Sequence, residues 1–303
     1  MTPSTMRVVR PLSITPAMLV STNISEADYA EWLAGAGYAK GARVIATSQH
    51  KVYESLVDSN VGHAPAGSPD QWVEVGPTNR WKAFDQSNST QTRAQNFLTY
   101  TLKPGKAVHT IAALNLVDAT AMRVRVTDPS LGLIYDKTVN LAGQLLVSTW
   151  WDWFLGPRTS PKQCIYADLP SAPAADITID IAGNVGLAVG VILLGQMRTF
   201  SMGVQMGARI GITDYSRKER NEFGDTILVE RPFARRANWS PVLRAAEVDA
   251  FVDFLADVRA QPCLWIGSGR YEAMTVYGIY KSFEVLIAYF DYSTCELELE
   301  GLT

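Results

Sequence analysis

Along 303 residues, one stretch sustains a helical period over several turns: AAEVDAFVDFLADVRA at 245–260. It places Val248, Phe251, Val252, Leu255 and Val258 on one face, and Gln261 with Pro262 ends it. Most of the rest breaks into short alternating or continuous apolar runs, cut by Gly, Pro, Asn and Asp. Such a chain has to pair its strands into sheets. The expected class is therefore mainly β and multidomain, with the helix laid on a sheet.

The breaks divide the chain into four segments. Residues 1–22 read as an extended N-terminal arm, with Pro11 and Pro16 as breakers. Residues 23–78 form a small aromatic-rich β module. Here SEADYAEWLAG at 25–35 opens with Ser25 three residues before Asp28, a capping-box pattern that predicts a short helical turn. ARVIATSQHKVYESLVDS then gives two strands around SQHK, and GSPDQWVEVG gives a third. Residues 79–200 carry NFLTYTL, AVHTIAALNL, MRVRVTD, LIYDKTV, DITIDIA and GLAVGVILL, separated by turn signals that include KPGK, DPSLG and GN. That spacing predicts a β-sandwich or jelly roll. Residues 201–303 read as an α+β domain, in which RIGITDYSRKERNEFGDTILVERPF is strand, exposed polar loop and strand.

Bulk properties narrow the functional classes. Lys and Arg number 27 against 30 Asp and Glu, a net charge of −3, so no basic face of the size a nucleic-acid partner demands is expected. The N-terminus has no continuous apolar core of a signal peptide, and the chain is expected to be made in the cytoplasm. VGLAVGVILLG at 185–195 is about half the roughly 20 residues of a membrane helix. It reads as a buried strand punctuated by Gly195, and no membrane insertion is expected. Cys164, Cys263 and Cys295 are odd in number and widely spaced, which favours buried packing residues over a disulfide or zinc framework.

Catalytic patterns do not assemble. His50, His63 and His109 lack ligand or triad spacing. Neither a phosphate-binding loop nor a nucleophile elbow is present. Asp176 and Asp180, or Asp152 within WWDWF, are the carboxylates a glycan hydrolase would use. Trp150, Trp151 and Trp153 beside them read better as a hydrophobic contact between domains or subunits. No cofactor and no metal are expected.

Aromatics are the more informative class. Trp32, Tyr38, Tyr53 and Trp72 are spread over the short strands of a module with few large aliphatics. Trp32 and Tyr38 are assigned to its core. Tyr53 and Trp72, with Trp81 after them, are candidate platforms for sugar rings, with a place in the module core the equal alternative for Tyr53 and Trp72. At the junction with the next domain, Asn79, Arg80 and Asp85 are expected to fix the angle between modules. An Arg80–Asp85 ion pair would do this, with Trp81 as the plug.

The spacing W-x5-Y-x2-G-x2-V, followed by VYES and W-x3-G, resembles the small chitin-binding modules appended to bacterial chitinases. Its matching residues are Trp32, Tyr38, Gly41, Val44, Tyr53 and Trp72. Over nearly the whole chain, GPTNRWKAFD, GLAVGVILLGQMRTF, GITDYSRKERNEFGDTILVERPFARR and PCLWIGSGRYEAMTVYGIYKSFEVLIAYFDYSTCELELEGL resemble a family of tailed-bacteriophage tail and baseplate virion proteins. That resemblance implies a non-enzymatic component of a tail tip, baseplate or fibre-attachment region. Its middle domain would be a jelly roll of galactose-binding-like form, and its partners other tail proteins and copies of itself. Arg231, Arg235 and Arg236, with Trp150, Trp151 and Trp153, are the expected subunit contacts. A carbohydrate-binding protein acting on a cell-surface glycan is the alternative, and a glycan hydrolase the third.

Overall fold

The computed structural model describes residues 5–142, 149–155, 160–200, 202–220, 224–287 and 289–302. The fold is mainly β. Nine strands of its larger sheet run in the order Gln163–Tyr166, Thr110–Leu114, Val191–Phe200, Met6–Pro11, Cys263–Ile266, Thr275–Leu286, Tyr292–Gly301, Phe233–Trp239 and Arg209–Asp214. A tenth, Val242–Arg244, pairs beside Tyr292–Gly301. The second sheet is built from Gly132–Asn140, Val117–Asp128, Asp176–Val189, Phe97–Leu102 and Leu19–Thr22, with Thr92–Arg93 added to Asp176–Val189.

Residues 6–22, within the segment expected as an arm, tie the two sheets together instead. Met6–Pro11 is an interior strand, paired along its length with Val191–Phe200 and at Arg7–Val9 with Cys263–Ile266. Its alternation accounts for this: Met6 and Val8 face one core and Val9 another, all fully buried. Leu19–Thr22 then joins the second sheet at Phe97–Leu102. The expected boundary at 200/201 is accordingly not a sheet boundary, because Met6–Pro11 carries the ladder across it.

One face of the ten-stranded sheet is covered twice. At its first strands, Ile111, Ile192 and Leu194 meet Leu98, Tyr100, Met122, Val124, Ile179 and Ile181 of the second sheet, forming a sandwich core. Farther along, helix Val248–Asp257 lays Val248, Phe251, Phe254 and Leu255 against Met6, Val8, Trp265 and Leu297. Phe254 takes the inward place expected for Val252, which is half buried.

Two local expectations are corrected. Residues 25–35 form no helix, because their backbone pairs sideways: Trp32 N–H donates to Ile45 O and Ile45 N–H to Ala30 O, each at 3.0 Å. The Gly183–Asn184 pair makes no turn. Asp176–Val189 runs through it, and the register shifts opposite Val117–Ala119 and again opposite Ala119–Ala121. The break falls at Gly190, while Gly195 lies within Val191–Phe200 beside Pro11 and Thr110. A Cβ at Gly195 would stand 2.2 Å from the Arg10 carbonyl oxygen, so this glycine permits close strand approach.

The small module contains a three-stranded sheet, Arg43–Ala46, Lys51–Ser55 and Trp72–Pro77, and the short pair Gly37–Tyr38 with Asn60–Val61.

Candidate assembly surfaces

The aromatics proposed for sugar stacking are turned inward. Tyr53 and Trp72 are 6% and 3% exposed and form the module core with Val44, flanked by Trp32 and Tyr38. Tyr38 meets the edge of Trp72 at 5.3 Å, Trp72 Nε1 donates to His63 O at 2.9 Å, and the Tyr53 hydroxyl donates to Gln49. With few aliphatics available, the module uses its largest rings as core. Neither Tyr53 nor Trp72 presents a free face to a sugar.

Trp81 is 8% exposed and plugs the junction. It stacks near His50, with centroids 4.7 Å apart, and meets Phe84 edge-on. The expected Arg80–Asp85 pair is not formed. Arg80 pairs with Glu26 at 3.1 Å and donates from Nε to Ile24 O, while Tyr100 OH donates to Arg80 O. Asp85 accepts from Ser87 N–H and the Thr90 hydroxyl, closing its own turn. Asn79 does serve the junction, donating its N–H to Asp28 and bonding Arg93 through its side chain. Glu26, Asp28 and His50 also meet at this junction, a role not expected for them from the sequence. The signal for the two acids was the capping-like SEAD, whose acids bond across the junction and cap no helix.

Asp176 and Asp180 do not form a hydrolase pair with each other. Asp176 and Asp180 are four residues apart on one strand, a separation of about 13 Å. That exceeds the spacing of about 5–9.5 Å at which two carboxyl groups flank a glycosidic bond. Asp180 is engaged by Arg125 and Thr99, each at 2.6 Å. The Asp152 side chain lies outside the described residues. All three cysteines are buried and free. Burial pushes the thiols of Cys164 and Cys295 up to about 11, and that of Cys263 to about 12, which suppresses thiolate chemistry.

What the molecule does display is apolar surface on three projections. Helix Trp150–Leu155 exposes Trp150 at 82%, Trp151 at 71% and Phe154 at 76%, with Trp153 and Leu155 beside them. The hairpin turn after Thr275–Leu286 exposes Leu286, Ile287, Tyr289 and Phe290, and Tyr289 stacks on Tyr292 at 4.4 Å. The third projection begins at the edge strand Arg209–Asp214, where Ile210 and Ile212 are exposed. These side chains lie on the helix-covered face, opposite Ala237 and Arg235, and extend its apolar layer beyond the cover. Trp150, Trp151 and Trp153, expected as contact residues, are exposed. The hairpin tip was not expected from the sequence; its signal was VLIAYF, an apolar run without alternation between two strands.

The three expected arginine contacts are dispersed. Arg236 is exposed beside the edge strand and Arg231 at the base of the hairpin that follows it. Arg235 is half buried and donates to Thr275 O at 3.3 Å within its own sheet. No protein family, curated protein or solved structure matches this chain.

Proposed function

We propose that this chain is a non-enzymatic structural protein of a tailed-phage tail tip or baseplate, made in the host cytoplasm and held in the virion by contacts with neighbouring proteins and with its own copies. The observation that carries this reading is the exposed helix Trp150–Leu155. An aromatic ring brings about 150–250 Å² to a contact, so four of them approach the roughly 800 Å² that each partner gives to a stable interface. Left in water, Trp150, Trp151, Trp153 and Phe154 would form the kind of patch that monomers avoid. The resemblance of the chain to tail and baseplate proteins supplies the class of assembly.

The glycan-binding alternative draws no support from Tyr53, Trp72 and Trp81, whose faces are occupied by the module core and the junction. The test of the leading reading is immunogold electron microscopy and peptide mass spectrometry of purified particles. Gold at the tail tip or baseplate is expected. Virions without the chain, when the same antibody detects it in infected-cell lysate, would defeat the reading.

A further inference from the structure

Past Asp214 and Phe233 the edge hairpin leaves the sheet as a two-stranded ribbon, Arg217–Arg220 paired with Thr226–Val229. Its register puts Lys218 opposite Leu228 and Arg220 opposite Thr226, so one face carries two cations and a leucine that is 68% exposed. The other face carries Val229 and Ile227 with the Arg217–Glu219 pair. Isolated two-stranded ribbons are marginal in water. This ribbon has the composition of one that rests on a surface.

A complementary surface lies on the same molecule. On the face of Tyr292–Gly301 turned away from the helix, Glu296 stands directly opposite Glu284 of the neighbouring strand. Both are exposed, and among the described residues neither has a cationic partner. Like charges facing each other across a ladder destabilise it. Leu286, 63% exposed, follows on the same face. Glu300, farther along the strand, is already engaged by Lys281 at 3.1 Å and Tyr215 OH at 3.3 Å.

The two patches lie at opposite ends of the sheet. Gly211, Arg236 and Glu300 are level with one another across three strands, and the ribbon departs beyond that level, past Asp214 and Phe233. Glu296 lies four residues back from Glu300, about 13 Å in the other direction. We propose that the Lys218/Arg220/Leu228 face of one copy docks on the Glu284/Glu296/Leu286 patch of a second copy. The contact is head-to-tail, and such contacts close into rings or run on as filaments. This inference deepens the assembly reading above by naming the partner as the chain itself and the surfaces that meet.

A charge exchange tests it. Lys218→Glu with Arg220→Glu in one variant, and Glu284→Lys with Glu296→Lys in a second, each set like charges against like. Each is expected to weaken self-association at least about tenfold by light scattering or sedimentation. Mixed, they restore it, because either arm then meets an opposite patch on the other variant. Wild-type chain that stays monomeric across the accessible concentration range would overturn the proposal, as would reversed variants that associate like wild type or a mixture that recovers nothing. Virions that contain the chain while the purified chain stays monomeric would overturn this contact alone and leave the virion reading standing. Restored assembly of a chain absent from virions would support the contact and defeat that reading.

Discussion

The indole Nε1 of Trp81 donates to Oε1 of Glu26 at 3.2 Å, across the junction between the small module and the sandwich. His50 Nδ1 and Arg80 Nη1 converge on the same oxygen at 2.9 and 3.1 Å. The Glu26 side chain is 5% exposed, so removing the acid leaves the Trp81 donor without an acceptor in a buried place, while water partly reaches His50 and Arg80. Glu26→Ala is expected to lose about 1–3 kcal/mol, moderated by the partial exposure of Arg80. Denaturant unfolding measures the loss, and limited proteolysis near residues 77–82 should accelerate with it. An unchanged midpoint would mean that Trp81 packing and the Asn79 and Arg80 backbone bonds hold the junction without Glu26.

At Gly195 the limit is steric. A side chain there meets the backbone of Arg10, which cannot move without opening the ladder between Met6–Pro11 and Val191–Phe200. Gly195→Val is expected to destabilise by about 3 kcal/mol or more. Hydrogen exchange should show the loss first at the amides of residues 6–11. The same strand predicts that deleting residues 1–11 abolishes cooperative folding, whereas removal of a free arm would leave it intact.

The elements that the sequence made legible were those decided by local pattern. The helix at 248–257 is readable because its apolar period is long and ends at Gln261–Pro262. The strands of the sandwich are readable because ITIDIA and MRVRV alternate. What escaped was decided by distant partners. Met6–Pro11 looks like part of an arm because Pro11 and Pro16 break the chain just after a short apolar run, and only pairing with strands nearly 190 and 260 residues away makes it interior. Tyr53 and Trp72 illustrate the same limit at the level of function. Aromatic spacing identifies a small β module, but whether a ring faces the core or a ligand depends on which side of a three-stranded sheet it occupies.

Two tryptophans of similar sequence setting should therefore behave oppositely. Trp72→Ala removes a core ring and its bond to His63 O, and is expected to destabilise the small module by about 3–5 kcal/mol. Trp151→Ala removes a ring that is 71% exposed and should leave stability within about 0.5 kcal/mol, while reducing the association that the proposed assembly role assigns to this helix. Circular dichroism melting and co-sedimentation with particle components separate the two. A large stability loss on Trp151→Ala would show that this helix packs on its own chain and would remove it as a contact surface.

The last prediction concerns pH. Asp85 lies beside a cleft of about 320 Å³ lined by Gln86, Gln261 and Tyr277. Desolvation raises its carboxyl above the ordinary value, against the lowering effects of Thr90, Ser87 and Lys82. A carboxyl whose folded value is raised contributes stability that is fully present below its unfolded value and lost as pH rises through the folded one. Asp85→Asn cannot ionise and escapes that loss. Its hydrogen-bond change with Thr90 and Ser87 acts as an offset that varies little with pH. The stability difference between variant and wild type should therefore move in the variant's favour between about pH 3 and pH 7. Denaturant midpoints across that range measure it, and a difference that is flat or runs the other way would show that the turn bonds to Asp85 outweigh its burial.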